Sequence, residues 1–379
     1  MNNVYITKTS HFFPNDPVSS DEMELRLGMI NGKPSKARSI ILRKNGIQTR
    51  YYALDQQGNV THTNVQMAAN VVRKLADKGL KLADVDLLSC GTASPEQLVP
   101  SHGVMVHGAL QEMRDVEVVS FAGSCCTGMD ALKYAYMAVA SGESKNAVVT
   151  ASERISAWMR AQYFQTESEE LDKLEERPIL AFDKEFLRWM LSDGALALLV
   201  QPQPASEGDS LRVEWIKKTS FANELQTCMY AGGEKDENGD LQGWAMFEEQ
   251  EWLSRSLFAV KQDTRMLGEN IINFGAKFMK RCLTEHDLSA NDIDWFCPHL
   301  SSMFFKDEII KYQKENDMYI PIDRWFINLT QVGNIASASA FAMMDGLLHS
   351  GRLKKGQKIL MMVPESARFS YTFALLTVC

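Results

Sequence analysis

The chain lacks the patterns that mark several protein classes. It has no CxxC or HxxxH pairing, so nothing in it reads as a metal cage. Its seven cysteines are odd in number and, apart from the adjacent Cys125-Cys126, far apart in sequence, which argues against a disulfide framework and fits a reducing compartment. No apolar run reaches membrane-spanning length, and the first residues, MNNVYITKTSHFFPND, show no charged-then-apolar leader pattern. Excess positive charge is also missing: the formal net charge is −8, which argues against nucleic acid as a partner. A cytoplasmic protein with no membrane segment, no metal and no bound cofactor is expected.

What is present is a chain of 379 residues with an ordinary globular composition, enough for one large domain or two joined halves. Strand-like and helix-like stretches alternate, which predicts an α/β fold. The rest is organised around residues 116–142, VEVVSFAGSCCTGMDALKYAYMAVASG. A strand over 116–121 runs into a small-residue turn, and Thr127-Gly128 opens a helix that reaches about Ala140 and stops at Ser141-Gly142. Cys125 and Cys126 therefore stand at a helix start, where unpaired N–H groups and the helix dipole favour a thiolate. A free cysteine in such a turn is more often packing than nucleophile, so the turn alone decides nothing.

A second unit repeats this design. A helix over 336–348 ends at Ser350-Gly351 and leads to a strand over 358–363, as the first helix leads to a strand over 147–150. Residues 201–210 (QPQPASEGDS) have the composition of a linker and divide the chain into halves 1–205 and 206–379. Residues 39–53 (SIILRKNGIQTRYYA) read as two β-rich, basic flanks around a turn at Asn45-Gly46. Residues 165–178 (QTESEELDKLEERP) read as a solvated acidic excursion.

Two later segments place polar side chains where α/β folds gather chemistry. DWFCPHLSS puts His299 just past a short apolar strand, and TQVGNIASASA puts Asn334 after Gly333 at a helix start. Alone, His299 reads as a structural histidine and Asn334 as an N-cap. With Cys126 they make a Cys–His–Asn set.

These segments resemble the thiolase-fold condensing enzymes of the β-ketoacyl-ACP synthase III branch. RKNGIQTRYYA is similar to that family's Arg-x-x-Gly-Ile-x-x-Arg motif through Arg43, Gly46, Ile47 and Arg50. SCCTGMDAL resembles its Cys-Ala-Gly turn, with Cys126, Thr127 and Gly128 aligned and Cys126 rather than Cys125 as nucleophile. LSDGALA, DWFCPH and GNIASAS resemble the Gly-Asp-Gly-Ala, histidine and asparagine motifs, in the family's order. The resemblance implies an αβαβα layered fold of two pseudo-symmetric halves and a homodimer. It implies a ping-pong reaction in which Cys126 takes an acyl group from acyl-CoA or acyl-ACP, an acyl carrier protein being the expected partner. His299 and Asn334 would then donate to the second thioester's carbonyl oxygen. The oxyanion hole would be the N–H groups of Cys126 and Ala367.

Departures from the family pattern bear on substrate. Ser302 stands for a pantetheine-contacting asparagine and Phe304 for a basic residue that meets the carrier protein. Arg368 replaces a glycine and is expected to pair with Glu365 or Glu153, with a grip on a β-keto oxygen as the alternative. Val99 stands where a bulky aromatic closes the partner's acyl pocket, leaving room for a longer chain. Arg43 is carried over as substrate-binding. These features resemble the ketosynthases that join a β-ketoacyl thioester to a second acyl thioester and close an alkylated cyclohexane-1,3-dione, the dialkylresorcinol precursor. The alternatives are an initiating synthase joining acyl-CoA to malonyl-ACP, and a non-catalytic partner subunit.

Overall fold

The structure, a computed structural model, describes residues 2–35, 38–164 and 186–379, so the acidic run at 165–178 lies outside the described residues. Nine strands form the main sheet: β1 (Tyr5–Phe12), β2 (Leu87–Thr92), β3 (Glu117–Ala122), β4 (Ala147–Glu153), β5 (Gly194–Gln201), β6 (Leu211–Ser220), β7 (Trp295–Pro298), β8 (Lys358–Glu365) and β9 (Ser370–Val378). Their order is β7-β8-β9-β6-β1-β5-β4-β2-β3.

The sheet divides naturally. Across its middle, β1 and β6 pair through only Tyr5–Arg212 and Ile6–Leu211. On either side the same pattern recurs: β1–β5 and β5–β4 are antiparallel and β4–β2 parallel, while β6–β9 and β9–β8 are antiparallel and β8–β7 parallel. Every residue of β2 and β4 is buried. Continuous apolar runs such as AVVT and ALALLV are what a sheet covered on both faces requires.

The helices that matter here are α1 (Arg38–Asn45), α2 (Asn64–Asp77), α3 (His102–Gly108), α4 (Thr127–Ser141), α5 (Thr264–Glu285), α6 (Phe304–Glu315) and α7 (Ser339–Leu348). α4 packs on β2 and β4 and touches α7, which packs on β1, β5, β7 and β8. These two helices fill the space between the halves of the sheet. α2 and α3 cover the first half, and α5 and α6 the second. The result is the αβαβα layering of two similar halves, and residues 202–210 connect β5 to β6.

One expected strand is a helix. Residues 38–45 form α1 where the sequence reading placed a β-rich flank. The run Ile40-Ile41-Leu42 suits either conformation by pattern, and only Ile41 of the three is buried. The turn itself is where the dipeptide places it: Gly46 has φ +70.

Candidate active site

The turn between β3 and α4 carries both candidate thiols, and they point to different surroundings. Cys125 lies on the wall of a cavity of about 1030 Å³, counting the space at its mouth, together with Ser124, His299 and Asn334. Cys126 is fully buried and is not on that wall; its Sγ lies 3.3 Å from the Val363 carbonyl oxygen on β8. The sequence reading prefers Cys126; the thiol that shares the cavity wall with the histidine and asparagine is Cys125.

The expected oxyanion donor at Cys126 is also engaged elsewhere. Its N–H donates to the Glu365 carboxylate at 3.1 Å. Glu365 is the last residue of β8, and its flanking neighbours Pro364 and Ser366 face the cavity while it does not. Side chains alternate along a strand, so the carboxylate lies behind the turn. Burial raises its pKa, against the hydrogen bond from Cys126. Ala367 fixes the following loop through its carbonyl, which accepts from the N–H groups of Cys228 (2.8 Å) and Met229 (3.2 Å).

Three physical facts bring the wall residues together. His299 follows β7 directly, and its N–H donates to the Met362 carbonyl at 2.8 Å, locking it to β8. The Asn334 loop is held by its N–H on the Met190 carbonyl (3.0 Å) and by its carbonyl on the Ser192 N–H (2.9 Å). Gly333 before it has φ +71, and a Cβ there would sit 2.9 Å from the Cβ atoms of Arg50 and Ser192. Gly128, at the start of α4, approaches the same loop so closely that a Cβ would lie 2.4 Å from the Ser337 carbonyl oxygen. The glycine lets the cysteine turn and the asparagine loop meet backbone to backbone.

Buried polar groups set the chemistry. Asn334 Oδ1 accepts from the Ala336 N–H at 2.9 Å, so its amide presents the NH2 group as donor. Burial lowers the His299 pKa to about 4, which leaves a neutral imidazole with one N–H. Burial, with Glu365 nearby, pushes the Cys125 thiol up to about 12. The dipole-driven thiolate expected from the helix start is therefore outweighed in this closed site. Glu153, fully buried and raised by burial to about 7, accepts from the Ala93 N–H (2.9 Å), Ser94 Oγ (2.6 Å), the Ser337 N–H (3.2 Å) and Ser337 Oγ. It ties the loop after β2 to the asparagine loop.

The remaining wall is apolar. Ile271, Met279, Phe305, Ile309 and Tyr312, from α5 and α6, line it along with Trp158. Two buried amides, Gln262 and Gln313, and the hydroxyl of Ser366 interrupt it; none carried a sequence signal beyond Ser366 lying in the aligned loop.

Several expected substrate contacts fall outside this cavity. Arg43 is exposed on α1; the buried arginine of that motif is Arg50, which donates to the Trp189 carbonyl at 3.1 Å and to Ser20 Oγ at 2.9 Å. Arg368 is exposed and donates to the Leu225 carbonyl at 3.2 Å, so neither the pairing with Glu365 or Glu153 nor a grip inside the cavity is realised. Ser302 is buried with its Oγ 3.3 Å from the Lys44 carbonyl, and its neighbour Ser301 takes the cavity wall. Phe304 is half-exposed, with Lys44 Nζ 5.4 Å from its ring centroid. Val99 is 84% exposed and lies outside the chain's own cavity. No metal-binding cluster occurs among the described residues, and no helix among them is long and apolar enough to cross a membrane.

Comparison with known proteins agrees with this architecture. Residues 283–373 match the family model of the 3-oxoacyl-[acyl-carrier-protein] synthase III C-terminal region. The chain is 24% identical over 362 residues to a β-ketoacyl-[acyl-carrier-protein] synthase III of Clostridium novyi, covering 95% of each. It is 22% identical over 361 residues to the like-named protein of Neisseria gonorrhoeae, covering 94% of this chain and 93% of the relative. Among solved structures, AbyA1, a tetronic acid condensing enzyme, superposes with a TM-score of 0.75 at 18% identity over 99% of both chains. A variant of Xanthomonas campestris OleA holding lauric acid and lauroyl-CoA gives 0.74 at 20% identity, again over 99% of both.

Proposed function

We propose that this chain, a synthase III-like condensing enzyme of the thiolase superfamily, joins two acyl thioesters through an acyl-Cys125 intermediate. The observation that carries this is the meeting of Cys125, His299 and Asn334 on one cavity wall whose remainder is suited to an acyl chain. In the first step the Cys125 sulfur attacks the thioester carbonyl; the C–S bond to the donor breaks, and the released thiol keeps the proton that Cys125 gives up. The Cys125 and Ala367 N–H groups are the oxyanion donors in this reading. In the second step the α-carbon of the incoming thioester loses CO2 or a proton, the His299 N–H and Asn334 NH2 hold the resulting enolate oxygen, and the carbon bonds to the acyl carbonyl as the C–S bond to Cys125 breaks and its thiol is returned. One preorganised donor of this kind is worth about 3–4 kcal/mol.

The finer reading is a β-ketoacyl thioester joined to a second acyl thioester, from acyl-CoA or acyl-ACP, to give an alkylated cyclohexane-1,3-dione. The departure at Val99 from the initiating synthases supports it, as does the long apolar wall. A homodimer is part of the same reading. β3 is an edge strand with Val118, Val119 and Phe121 half-exposed, and Leu98, Val99, Val104 and Met105 are exposed beside it. An apolar edge of this kind invites pairing, and a second copy would cover it. All seven cysteines are free, which fits a cytoplasmic setting.

Peptide mapping after incubation with an acyl-CoA tests the reading: the acyl adduct is expected on Cys125. An adduct on Cys126 would reverse the assignment, and no adduct at all would favour a non-catalytic subunit. With malonyl-ACP as second substrate, a linear 3-oxoacyl product in place of a dione would favour the initiating synthase that the relatives' names describe.

A further inference from the structure

Gln262 is a buried amide in the wall of an acyl cavity, with only 4% of its surface exposed. Its partners are weak. Nε2 donates to the Cys228 sulfur at 3.1 Å, and Oε1 accepts from Ser366 Oγ across 3.4 Å. Cys228 in turn donates from its Sγ to the Asp263 carbonyl at 3.3 Å, which leaves its sulfur to accept from Gln262. Ser366 Oγ has the Met229 thioether at 3.8 Å as its other contact. Sulfur is a poor acceptor, and among the described residues the second Nε2 hydrogen has no acceptor. A buried amide so incompletely paired costs free energy that a leucine or methionine would not.

We infer that Gln262 and Ser366 form a polar station that recognises an oxygen on the β-carbon of the acyl chain held at Cys125. This rests on the acyl-Cys125 reading and names the substrate class within it. The placement suits the role. Ser366 directly follows Glu365, whose carboxylate bonds the turn that carries Cys125, and Cys125, Gln262 and Ser366 line the same cavity. A β-keto oxygen accepts from Gln262 Nε2 or Ser366 Oγ, and a β-hydroxyl can also donate to Gln262 Oε1. A saturated chain leaves both groups as they are. A site built to pair a substrate oxygen discriminates against the analogue without it, because its own polar groups then stay unpaired.

The test compares acylation rates of the full-length protein with 3-oxodecanoyl-CoA and decanoyl-CoA, followed by intact mass. Wild type is expected to favour the 3-oxo substrate by about 10-fold, the worth of one good hydrogen bond. Gln262→Leu is expected to abolish that preference, bringing the ratio of the two acylation rates to about 1, and Ser366→Ala to reduce it. Should Gln262→Leu fail to fold, the Ser366→Ala ratio decides. Equal rates in wild type, or a preference that survives both substitutions, would overturn the station alone. No acylation of wild type by either thioester would overturn the acyl-Cys125 reading and the station with it.

Discussion

Cys125 and Cys126 are consecutive in the chain, yet the two sides of their turn are built differently. On the cavity side, Cys125 faces a neutral imidazole, a carboxamide donor and an apolar wall. Behind it, Cys126 faces the backbone of β8 and a charged group: Glu365 accepts from its N–H, and Lys218 pairs with Asp130 close by. In the proposed reaction the front forms and holds a thioester while the back fixes the turn. The division then follows from which strand each sulfur meets.

The sharpest way to break this contrast is to remove each sulfur. Cys125→Ala is expected to abolish condensation, at least 10³-fold in turnover, while Cys126→Ala stays within about 10-fold of wild type. Equal losses would mean the two sides are not distinct. Next in size, Asn334→Ala is expected to lower condensation by 10²–10³, the usual effect of losing one preorganised donor, with acylation of Cys125 measured by intact mass largely retained. Loss of acylation as well would give the carboxamide a role in the first step. The smallest effect probes the back. Glu365 is a negative charge that raises the Cys125 thiol pKa, so Glu365→Gln should move it down from about 12. Iodoacetamide labelling of Cys125 should then rise at lower pH, by a few-fold at pH 8; an unchanged profile would show that the carboxylate is not felt at the front.

How much of this was legible beforehand depends on what each residue answers to. The positions of His299 at a strand end and Asn334 after a Gly-led turn could be read within short segments, and their grouping with a cysteine is what the family resemblance implies. The α/β class could be read from alternation of strand and helix, and the layering from the family resemblance. Which of the adjacent cysteines lines the cavity could not: it depends on how the turn is rotated, and Glu365 and the Val363 carbonyl, which hold it, are more than two hundred residues away in sequence. Arg368 misled for a related reason. Nearness to Glu365 in sequence says little about direction in a tight hairpin, and its side chain leaves the cavity for the Leu225 carbonyl. Residues 38–45 misled because a short apolar run carries no period that separates helix from strand. Gln262 gave no signal because its importance lies wholly in what surrounds it.

The contact of Gly128 with the Ser337 carbonyl leaves no slack between the cysteine turn and the asparagine loop. On the α5 wall the tight approach, at Gly275, is to the Tyr371 ring and not to backbone. Diversification therefore has separate dials: mutations on the outer helices can retune which tails are accommodated, generation after generation, while the bond-making centre keeps its geometry.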